Sequence, residues 1–387
     1  MNLISAAPLD VLRTRTSEKW TEHPPDVLPM FVAEMDYPLA EPITRALHDA
    51  VDRGDTGYVS SSNPVFEAFR GFAARRWSWD LTEATLLSTA DVSMGIVEIL
   101  RAITGPGDRV VITEPVYPPF FDLVTEAGAS VLAVPLTEST TNPVERRLDL
   151  AALETAFRDG ARVFLLCNPH NPLGLVHPRD DLEAVATLAA TYSVTVISDE
   201  IHAPLTQPTA RFTPYLSVSD EARATGFAVH SASKAWNIAG LKCAVMVAQS
   251  EQPASVLVSL PLEVSWRTGQ FGVLASVAAY AQGDTWLDGV LGSLAANFDL
   301  LDRLLAEHLA GVTWTRPDAS YLAWLDFRAL GWGDDPAGLI LREARVALSA
   351  GSDFGAHGVG HVRMNLACSP ELLTDAVRRI AQIPRRS

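Results

Sequence analysis

The sequence predicts an α/β protein in which a three-layer, mainly parallel sheet carries helices on both faces and is followed by a smaller α+β C-terminal domain. Two observations lead to this prediction. Short apolar runs alternate with helical patterns up to residue 248, and strand–helix–strand order at this spacing is typical of covered parallel sheets. Beyond residue 248 the pattern changes to long helices and then to mixed elements. We therefore expect an N-terminal segment over residues 1–44, a large domain over 45–283 and a small domain over 284–387.

The elements follow from the apolar periodicity, taken in order. The proline-rich first 44 residues contain one strand candidate, residues 28–33, and a helix is predicted to begin near Glu41 and Pro42, since proline suits a first helical turn. Buried apolar runs predict the strands of the large domain, namely 86–89, 109–112, 131–134, 162–167, 194–197, 226–229 and 244–248. Helical patterns cover residues 66–77, 93–104, 120–127, 180–192, 269–282 and 286–309. The small domain is predicted to contain strands 321–327 and 362–366 and helices 336–344 and 370–383.

The composition argues against several classes of function. A chain of 387 residues with 48% hydrophobic and 20% charged residues is typical of a globular protein. Its net charge of −16 disfavours nucleic acid and anionic membrane surfaces as partners, and solubility explains the acidity adequately. Three scattered cysteines do not make a disulfide framework or a metal cluster, and they fit a reducing cytoplasm. No signal peptide or membrane span is expected from the apolar runs.

The stretch from His230 to Ala244 places a lysine, Lys234, between two predicted buried strands. Burial would favour the neutral amine, which is the form that a nucleophile or a Schiff-base partner needs. A lone loop lysine is more often a solvated charge. The functional interpretation of Lys234 therefore depends on its neighbours.

Four loops after predicted strands carry polar residues, and ligands of parallel sheets bind beyond the carboxyl ends of the strands. Asn171 lies in a loop that prolines make rigid, Asp199 follows a buried run, and Tyr117 offers an aromatic face. Each has a structural alternative, which is a simple turn for Asn171, a helix N-cap for Asp199 and a core position for Tyr117. Val92 and Ser93 open a helix whose free N–H groups could hold a phosphate, although no glycine-rich signature is present.

Taken together, these residues fit a planar cationic heterocycle with an aldehyde, a phenolic oxygen and a phosphate. Pyridoxal 5′-phosphate (PLP) has these groups, and its usual protein partners include a Schiff-base lysine and an acidic residue at the pyridinium nitrogen. Lys234 would form the Schiff base, Asp199 would pair with the ring N–H and Asn171 would hold the ring oxygen. Tyr117 would stack on the ring. The phosphate would be bound by the helix that Ser93 opens, together with Ser231, Ser233 and Lys242.

The motifs resemble those of a known family. S-x-S-K-x-x-N-I-x-G-L-K at 231–242 resembles the lysine signature of class I/II aminotransferases, which are fold type I PLP-dependent enzymes. S-D-E-I-H at 198–202 and C-N-P-H-N-P-x-G at 167–174 resemble the pyridine-nitrogen and ring-oxygen motifs of that superfamily. Over nearly its whole length the chain also resembles the cystathionine β-lyase (MalY/PatB-type) branch of C–S lyases. Supporting stretches include V-A-E-M-D-Y at 32–37 and F-G-x-x-G-x-G-x-V-R-M-N at 354–365.

The resemblance implies further site residues and a homodimer. Arg363 would grip the substrate α-carboxylate, a task that suits its bidentate fork. Tyr58 would reach the cofactor phosphate of the neighbouring subunit, so that the two subunits share their active sites. His202 would contact the cofactor, and Glu34 and Tyr321 would contact the substrate. The N-terminal segment would pack with the small domain and line the active-site entrance.

Three positions depart from the family pattern. Leu173 replaces the usual threonine, and Lys242 stands where the superfamily often has arginine. Lys242 keeps the positive charge, so we expect phosphate binding to persist. Glu34 replaces the more common aspartate of the branch, which leaves the choice of substrate open.

The implied reaction is α,β-elimination from cystathionine or a related L-cysteine S-conjugate, which gives a thiol, pyruvate and ammonia. Lys234 would remove the Cα proton, Asp199 would keep the ring nitrogen protonated, and Tyr117 would add a hydrogen bond near the Schiff base. An aminotransferase with the same lysine, aspartate, asparagine and arginine is the alternative, because the motifs do not distinguish the two paths. Another PLP reaction of a specialised pathway, or a binding protein that retains the fold, is a further alternative.

Overall fold

The computed structural model describes residues 2–60, 62–138 and 146–385 of the chain. Met1, Arg386 and Ser387, which the predicted domain bounds include, lie outside the described residues. The described helices are α1 (Leu9–Leu12), α2 (Glu18–Thr21), α3 (Glu41–Arg53), α4 (Val65–Trp77), α5 (Val92–Ile103), α6 (Pro119–Glu126), α7 (Leu150–Arg158), α8 (Arg179–Tyr192), α9 (Asp220–Thr225), α10 (Glu251–Ser259), α11 (Leu262–Trp266), α12 (Gln270–Gln282), α13 (Asp284–His308), α14 (Pro336–Ala344) and α15 (Pro370–Ile380).

The described strands are β1 (Leu28–Pro29), β2 (Thr85–Thr89), β3 (Arg109–Glu114), β4 (Ser130–Pro135), β5 (Thr137–Glu138), β6 (Arg146–Arg147), β7 (Val163–Cys167), β8 (Thr195–Asp199), β9 (Gly226–His230), β10 (Ala244–Ala248), β11 (Thr313–Trp314), β12 (Leu322–Asp326), β13 (Val346–Ala347), β14 (Ser349–Ala350) and β15 (His361–Asn365). Short 3₁₀ turns connect several of them, including Ala203–Leu205, Ala239–Leu241 and Gly351–Phe354.

A seven-stranded sheet forms the centre of the molecule, in the order β2-β10-β9-β8-β7-β3-β4. β9, β8, β7, β3 and β4 pair in parallel, whereas β10 is antiparallel to both β9 and β2. Since only one strand runs against the others, the prediction of a mainly parallel sheet is confirmed. The carboxyl ends of six strands and the beginning of β10 consequently lie at one edge.

Both faces of this sheet are buried, because successive side chains of a strand point to opposite faces. On β3, Val110 and Ile112 belong to one apolar cluster and Val111 to the other. The first cluster includes side chains of α5, α6, α10 and α11, and the second includes side chains of α4, α8 and α12. The three-layer arrangement predicted from the apolar runs is therefore confirmed.

A second, smaller sheet follows α13 and has the order β11-β12-β15-β14, with every pair antiparallel. In it Trp324 on β12 lies opposite Arg363 on β15. The N-terminal residues join this part of the chain, since β1 pairs in parallel with β13. Among the described residues, no helix is both long enough and apolar enough to span a bilayer.

Two kinds of element prediction were wrong. The strand predicted over residues 28–33 ends at Pro29, because the carbonyls of Phe31, Val32 and Ala33 accept hydrogen bonds from side chains elsewhere in the chain and not from a neighbouring strand. We call residues 31–37 the entrance segment. Several short elements were not predicted, because each is too short to show a clear apolar period. They are the helices α1, α2, α7, α9, α10 and α11 and the two-residue strands β5, β6, β11, β13 and β14.

Candidate active site

A cavity of about 250 Å³ lies at the edge of the large sheet where its parallel strands end. Most of the predicted site residues line it together. They are Val92, Ser93, Tyr117, Asn171, Asp199, His202, Ser231, Ser233, Lys234, Lys242 and Arg363. They come from the loops after β2, β3, β7, β8 and β9 and from β15 of the smaller sheet.

Lys234 reaches the cavity from the loop between β9 and β10. Its Nζ donates a hydrogen bond of 3.1 Å to the carbonyl oxygen of Ala33 in the entrance segment. Burial, and then the nearby cationic Arg363, lower the pKa of Lys234 to about 8. Part of the amine is therefore neutral at pH 7 to 8, and the neutral amine is the form that a nucleophile or a base requires.

Asp199 is the last residue of β8, so its carboxylate emerges at the carboxyl edge of the sheet. Its Oδ1 accepts a hydrogen bond of 3.1 Å from the backbone N–H of Ile201. Burial nevertheless raises the pKa of Asp199 to about 7. A cationic partner would stabilise the charged form of this buried carboxylate. The protonated nitrogen of a heterocycle would be such a partner.

Asn171 and Arg363 meet across the boundary between the two sheets. Arg363 Nη1 donates to Asn171 Oδ1 at 3.1 Å, and Nη2 donates to the Phe31 carbonyl at 3.1 Å and to Ser349 Oγ at 3.2 Å. The guanidinium lies 5.0 Å from the centroid of the Phe354 ring, and burial lowers the pKa of Arg363 to about 10. Its Nε is buried and has no hydrogen-bond partner among the described residues. A buried guanidinium held only by neutral acceptors is suited to bind a carboxylate.

The opposite end of the cavity is formed by the first turn of α5 and the loop before β10. Asp91 is the N-cap of α5 and accepts a hydrogen bond of 2.8 Å from the N–H of Met94. Lys242 Nζ lies 3.0 Å from Asp91 Oδ2, so this predicted phosphate ligand is paired with a carboxylate. Ser231 Oγ donates to the Cys243 carbonyl at 2.6 Å and accepts from the N–H of Ser233. The open N–H groups at the start of α5 remain the main anion-binding feature of this end.

Tyr117 and His202 complete the wall of the cavity. Burial, and then the Asp199 carboxylate, raise the pKa of Tyr117 to about 12, so the phenol keeps its proton at neutral pH. Burial lowers the pKa of His202 to about 3, so its imidazole is neutral. The His202 ring lies edge-on to Tyr321 with centroids 6.3 Å apart.

Three predicted site residues do not line the cavity. Tyr321 is fully buried, and its hydroxyl donates to the Ala33 carbonyl at 2.9 Å. The Glu34 carboxylate accepts a hydrogen bond of 2.7 Å from Ser17 Oγ. Tyr58 is 85% exposed, and its ring centroid lies 5.5 Å from that of Trp266. The role proposed for Tyr58 requires a second subunit, so a single chain does not test it.

Sequence reasoning missed several residues that line the cavity. Ala33 contributes a backbone carbonyl, which no side-chain pattern could reveal. Asp91 was recognisable as an N-cap before an apolar helix, but its pairing with Lys242 depends on the reversal of β10. Cys167 begins the asparagine motif, but no role at the cavity was predicted for it. Its buried Sγ accepts a hydrogen bond of 3.3 Å from the N–H of Asn171 and so helps to fix that loop.

The donor set of the cavity fits PLP. A buried amine, a buried carboxylate with a raised pKa and a helix N-terminus with open N–H groups surround one space. These groups match the aldehyde, the ring nitrogen and the phosphate of the cofactor. The buried, unpartnered Nε of Arg363 adds a site for a carboxylate beside it.

Comparisons with known proteins agree with this geometry. The family model described as "Aminotransferase class I and II" matches residues 27–380. The chain is 45% identical to a protein of Mycobacterium leprae described as a proposed cystathionine beta-lyase, with 98% of each chain covered. It is 35% identical to the cystathionine beta-lyase PatB of Bacillus subtilis, with 92% of each covered. A solved structure from Corynebacterium diphtheriae, described as a proposed PLP-dependent beta-cystathionase, superposes with a TM-score of 0.91 at 32% identity and 98% coverage of both chains. The chain therefore belongs to the class I and II aminotransferase family of PLP-dependent, fold type I enzymes, within the group that contains the cystathionine beta-lyases.

Proposed function

We propose that this protein is a PLP-dependent carbon–sulfur lyase that carries out α,β-elimination on cystathionine or a related L-cysteine S-conjugate. The products are a thiol, pyruvate and ammonia. The main support for the proposal is that four residues line the same cavity, namely Lys234, Asp199, Asn171 and Arg363. The full-length similarity to relatives named cystathionine beta-lyase favours elimination over amino-group transfer.

Each residue has a task that its environment supports. When bound, PLP supplies an electrophilic carbon for the substrate amine and an electron sink for the cleavage at Cα. Arg363 holds the substrate carboxylate by its guanidinium, and Asn171 fixes the orientation of that guanidinium. Lys234 accepts the Cα proton, because its lowered pKa leaves part of the amine neutral at pH 7 to 8. The Asp199 carboxylate would pair with a protonated ring nitrogen, and that positive charge would keep the carboxylate ionised.

Tyr117, the phosphate end of the cavity and His202 would position the cofactor and the substrate. The phenol of Tyr117 is neutral, since its pKa is raised to about 12, and it would lie against the ring of bound PLP and could donate a hydrogen bond. The start of α5, with Ser93 and Lys242, binds the phosphate. His202 is buried and, with its lowered pKa, neutral, and its ring contacts Tyr321 without adding charge to the cavity.

The test is a product analysis on the purified protein loaded with PLP. One reaction contains L-cystathionine, and a second contains an amino acid together with a keto acid. The lyase proposal expects free thiol and pyruvate in equal amounts from the first reaction and no new amino acid from the second. Amino-group transfer without release of thiol would instead establish the aminotransferase alternative.

Two variants control the measurement. Lys234→Ala should abolish thiol release, because it removes the base and the cofactor linkage together. Arg342→Ala changes an exposed side chain on α14 that does not line the cavity, and it should leave the product yield unchanged. Thiol release that persists in Lys234→Ala would contradict the assigned site.

We further propose a cytoplasmic homodimer with shared active sites. Tyr58 and three other large apolar side chains are far more exposed than a monomer requires, at 85% for Tyr58, 75% for Val258, 79% for Leu262 and 63% for Trp266. Leu262 and Trp266 are one helical turn apart on α11, and Trp266 contacts Tyr58. A second copy of the chain on this patch would bury it and place Tyr58 against a neighbouring cavity.

We also propose the division into an N-terminal segment of residues 1–44, a large domain of residues 45–283 and a small domain of residues 284–387. The pairing of β1 with β13 supports the association of the N-terminal segment with the small domain.

A further inference from the structure

The entrance segment has no regular secondary structure, yet every carbonyl from Phe31 to Tyr37 accepts a hydrogen bond from another part of the chain. Side chains supply most of these bonds. The donors are Arg363 and Ser349 for Phe31, Asn365 for Val32, Lys234 and Tyr321 for Ala33, Asn365 and Lys19 for Glu34, Asn237 and Arg15 for Met35, Ala7 N–H for Asp36, and Arg15 for Tyr37. An irregular segment that is at least half-buried satisfies few of its own carbonyls, so its position depends on these donors. The segment is therefore positioned by the surrounding side chains.

One donor outside the cavity contacts the segment at two points. Lys19, on α2, is 1% exposed, and its Nζ lies 2.7 Å from Asp36 Oδ1. The same Nζ donates to the Glu34 carbonyl at 3.2 Å. Asp36 is completely buried, so its carboxylate depends on this ammonium for compensation. Lys19 thus holds the backbone directly after Ala33, the residue whose carbonyl accepts from Lys234.

The Ala33 carbonyl matters because it constrains the amine of Lys234. A neutral amine has two N–H bonds and one lone pair. A fixed acceptor for one N–H restricts the rotation of the amine and hence the direction of its lone pair. The Ala33 carbonyl also accepts directly from the Tyr321 hydroxyl. The residues before it, Phe31 and Val32, are held by Arg363 and Asn365. The residue after it, Glu34, is held by Asn365 and Lys19.

We propose that Lys19 is a positioning residue for the reaction, which sets the Ala33 carbonyl through its bonds to the Glu34 carbonyl and the Asp36 carboxylate and thereby orients the Lys234 amine. The proposal rests on the proposed function of Lys234 as base. Lys19 touches neither cofactor nor substrate, and it acts only through the entrance segment.

The test uses a double variant that removes the ion pair without leaving a buried charge. Replacement of a buried ion pair by apolar residues of similar size is commonly neutral for stability, so Lys19→Met/Asp36→Leu should fold. The control is Arg147→Met/Asp181→Leu, which carries the same kind of double substitution and removes a more exposed ion pair of 2.6 Å that does not touch the entrance segment. If the double variant does not fold, Asp36→Asn takes its place. The proposal then expects the same changes in Lys234 labelling and in kcat, and it is overturned by the same absence of change.

Two readouts separate positioning from plain stabilisation. The first is the pH dependence of acetic anhydride labelling of Lys234 in the cofactor-free protein, resolved by mass spectrometry with Lys242 as the internal reference. Charged groups near the amine are Arg363, Glu34, Asp199 and Glu18, and all of them remain in the double variant. We expect water to reach Lys234 once the segment is released, so that its labelling midpoint rises by about one pH unit or more.

The second readout is thiol release by the loaded enzyme. We expect kcat to fall about tenfold or more while KM changes little, because misplacement of a reacting group affects mainly the chemical step. A labelling midpoint and a kcat equal to those of the Arg147→Met/Asp181→Leu control would overturn the proposal, even with a lowered melting temperature. If the wild-type protein releases no thiol, the proposed function fails, but labelling of the cofactor-free protein still decides the role of Lys19.

Discussion

The lowered pKa of Lys234 gives a quantitative expectation for the cofactor-free protein. Its pKa falls from an ordinary value of 10.5 to about 8, first by burial and then by the charge of Arg363. At pH 7 about one amine in ten is then neutral, against about one in three thousand for a solvated lysine, a ratio of about 300. Lys234 should therefore react with an amine reagent far faster than its exposure would suggest, with a rate that rises tenfold per pH unit up to about pH 8 and then levels off.

The chain is well suited to this measurement, because it contains only three lysines, Lys19, Lys234 and Lys242. Competitive labelling between pH 6 and pH 11, followed by digestion and mass spectrometry, gives a separate titration for each lysine. Arg363→Gln should raise the midpoint of Lys234, since it removes the second largest cause of the lowered pKa. A midpoint near 10.5 in the wild-type protein, or no change in Arg363→Gln, would refute the electrostatic reasoning.

Three other predictions follow from the same structure. Arg363→Lys should lower kcat/KM about 10- to 100-fold, mainly through KM, because an ammonium cannot reproduce the bidentate fork of a guanidinium. An equal loss of kcat/KM with a substrate analogue that lacks the α-carboxylate would contradict the role of Arg363. The variants Lys234→Ala and Tyr58→Ala should each be inactive. When they are mixed in equal amounts and refolded together, about a quarter of the wild-type activity should return, because half of the dimers then contain one variant of each kind and hold one intact site. No recovery of activity would argue against shared sites. Lys19→Met alone should lower the free energy of unfolding by about 3–5 kcal/mol, because Asp36 is left buried and unpaired, whereas a second change, Asp36→Leu, should restore most of it in urea titrations. Equal stability of the single and double variants would show that Asp36 is not charged in the fold.

Much of the large sheet could be predicted from the sequence, because its strands are buried on both faces and read as continuous apolar runs. The runs at Val163–Cys167 and Gly226–His230 are examples. Lys234, Asp199 and Asn171 could be grouped for the same reason, since each follows a strand whose carboxyl end meets the common edge. Arg363 required the family resemblance, because it belongs to a different sheet.

The rest could not be predicted, because it depends on contacts between distant segments. Lys19 lies in the polar stretch Ser17-Glu18-Lys19, where a lysine is normally solvated, and only the fold brings it to Asp36. The strand expected over residues 28–33 was wrong because side chains compete for its carbonyls. Among the described residues, the ring contact of Tyr58 is with Trp266, which does not reveal its role, so its predicted function stays a prediction.

The single reversed strand, β10, has a consequence for how this protein could be altered. Because β10 returns beside β9 without a crossover helix, residues 231–243 form one uninterrupted hairpin connection that carries Ser231, Ser233, Lys234 and Lys242. Most other residues that line the cavity lie on separate loops, so each loop can be replaced independently. Residues 231–243, in contrast, hold the Lys234 amine and part of the phosphate end of the cavity at a fixed separation along one connection. A transplant of this hairpin would move those groups together, and an insertion within it would separate the amine from the phosphate end.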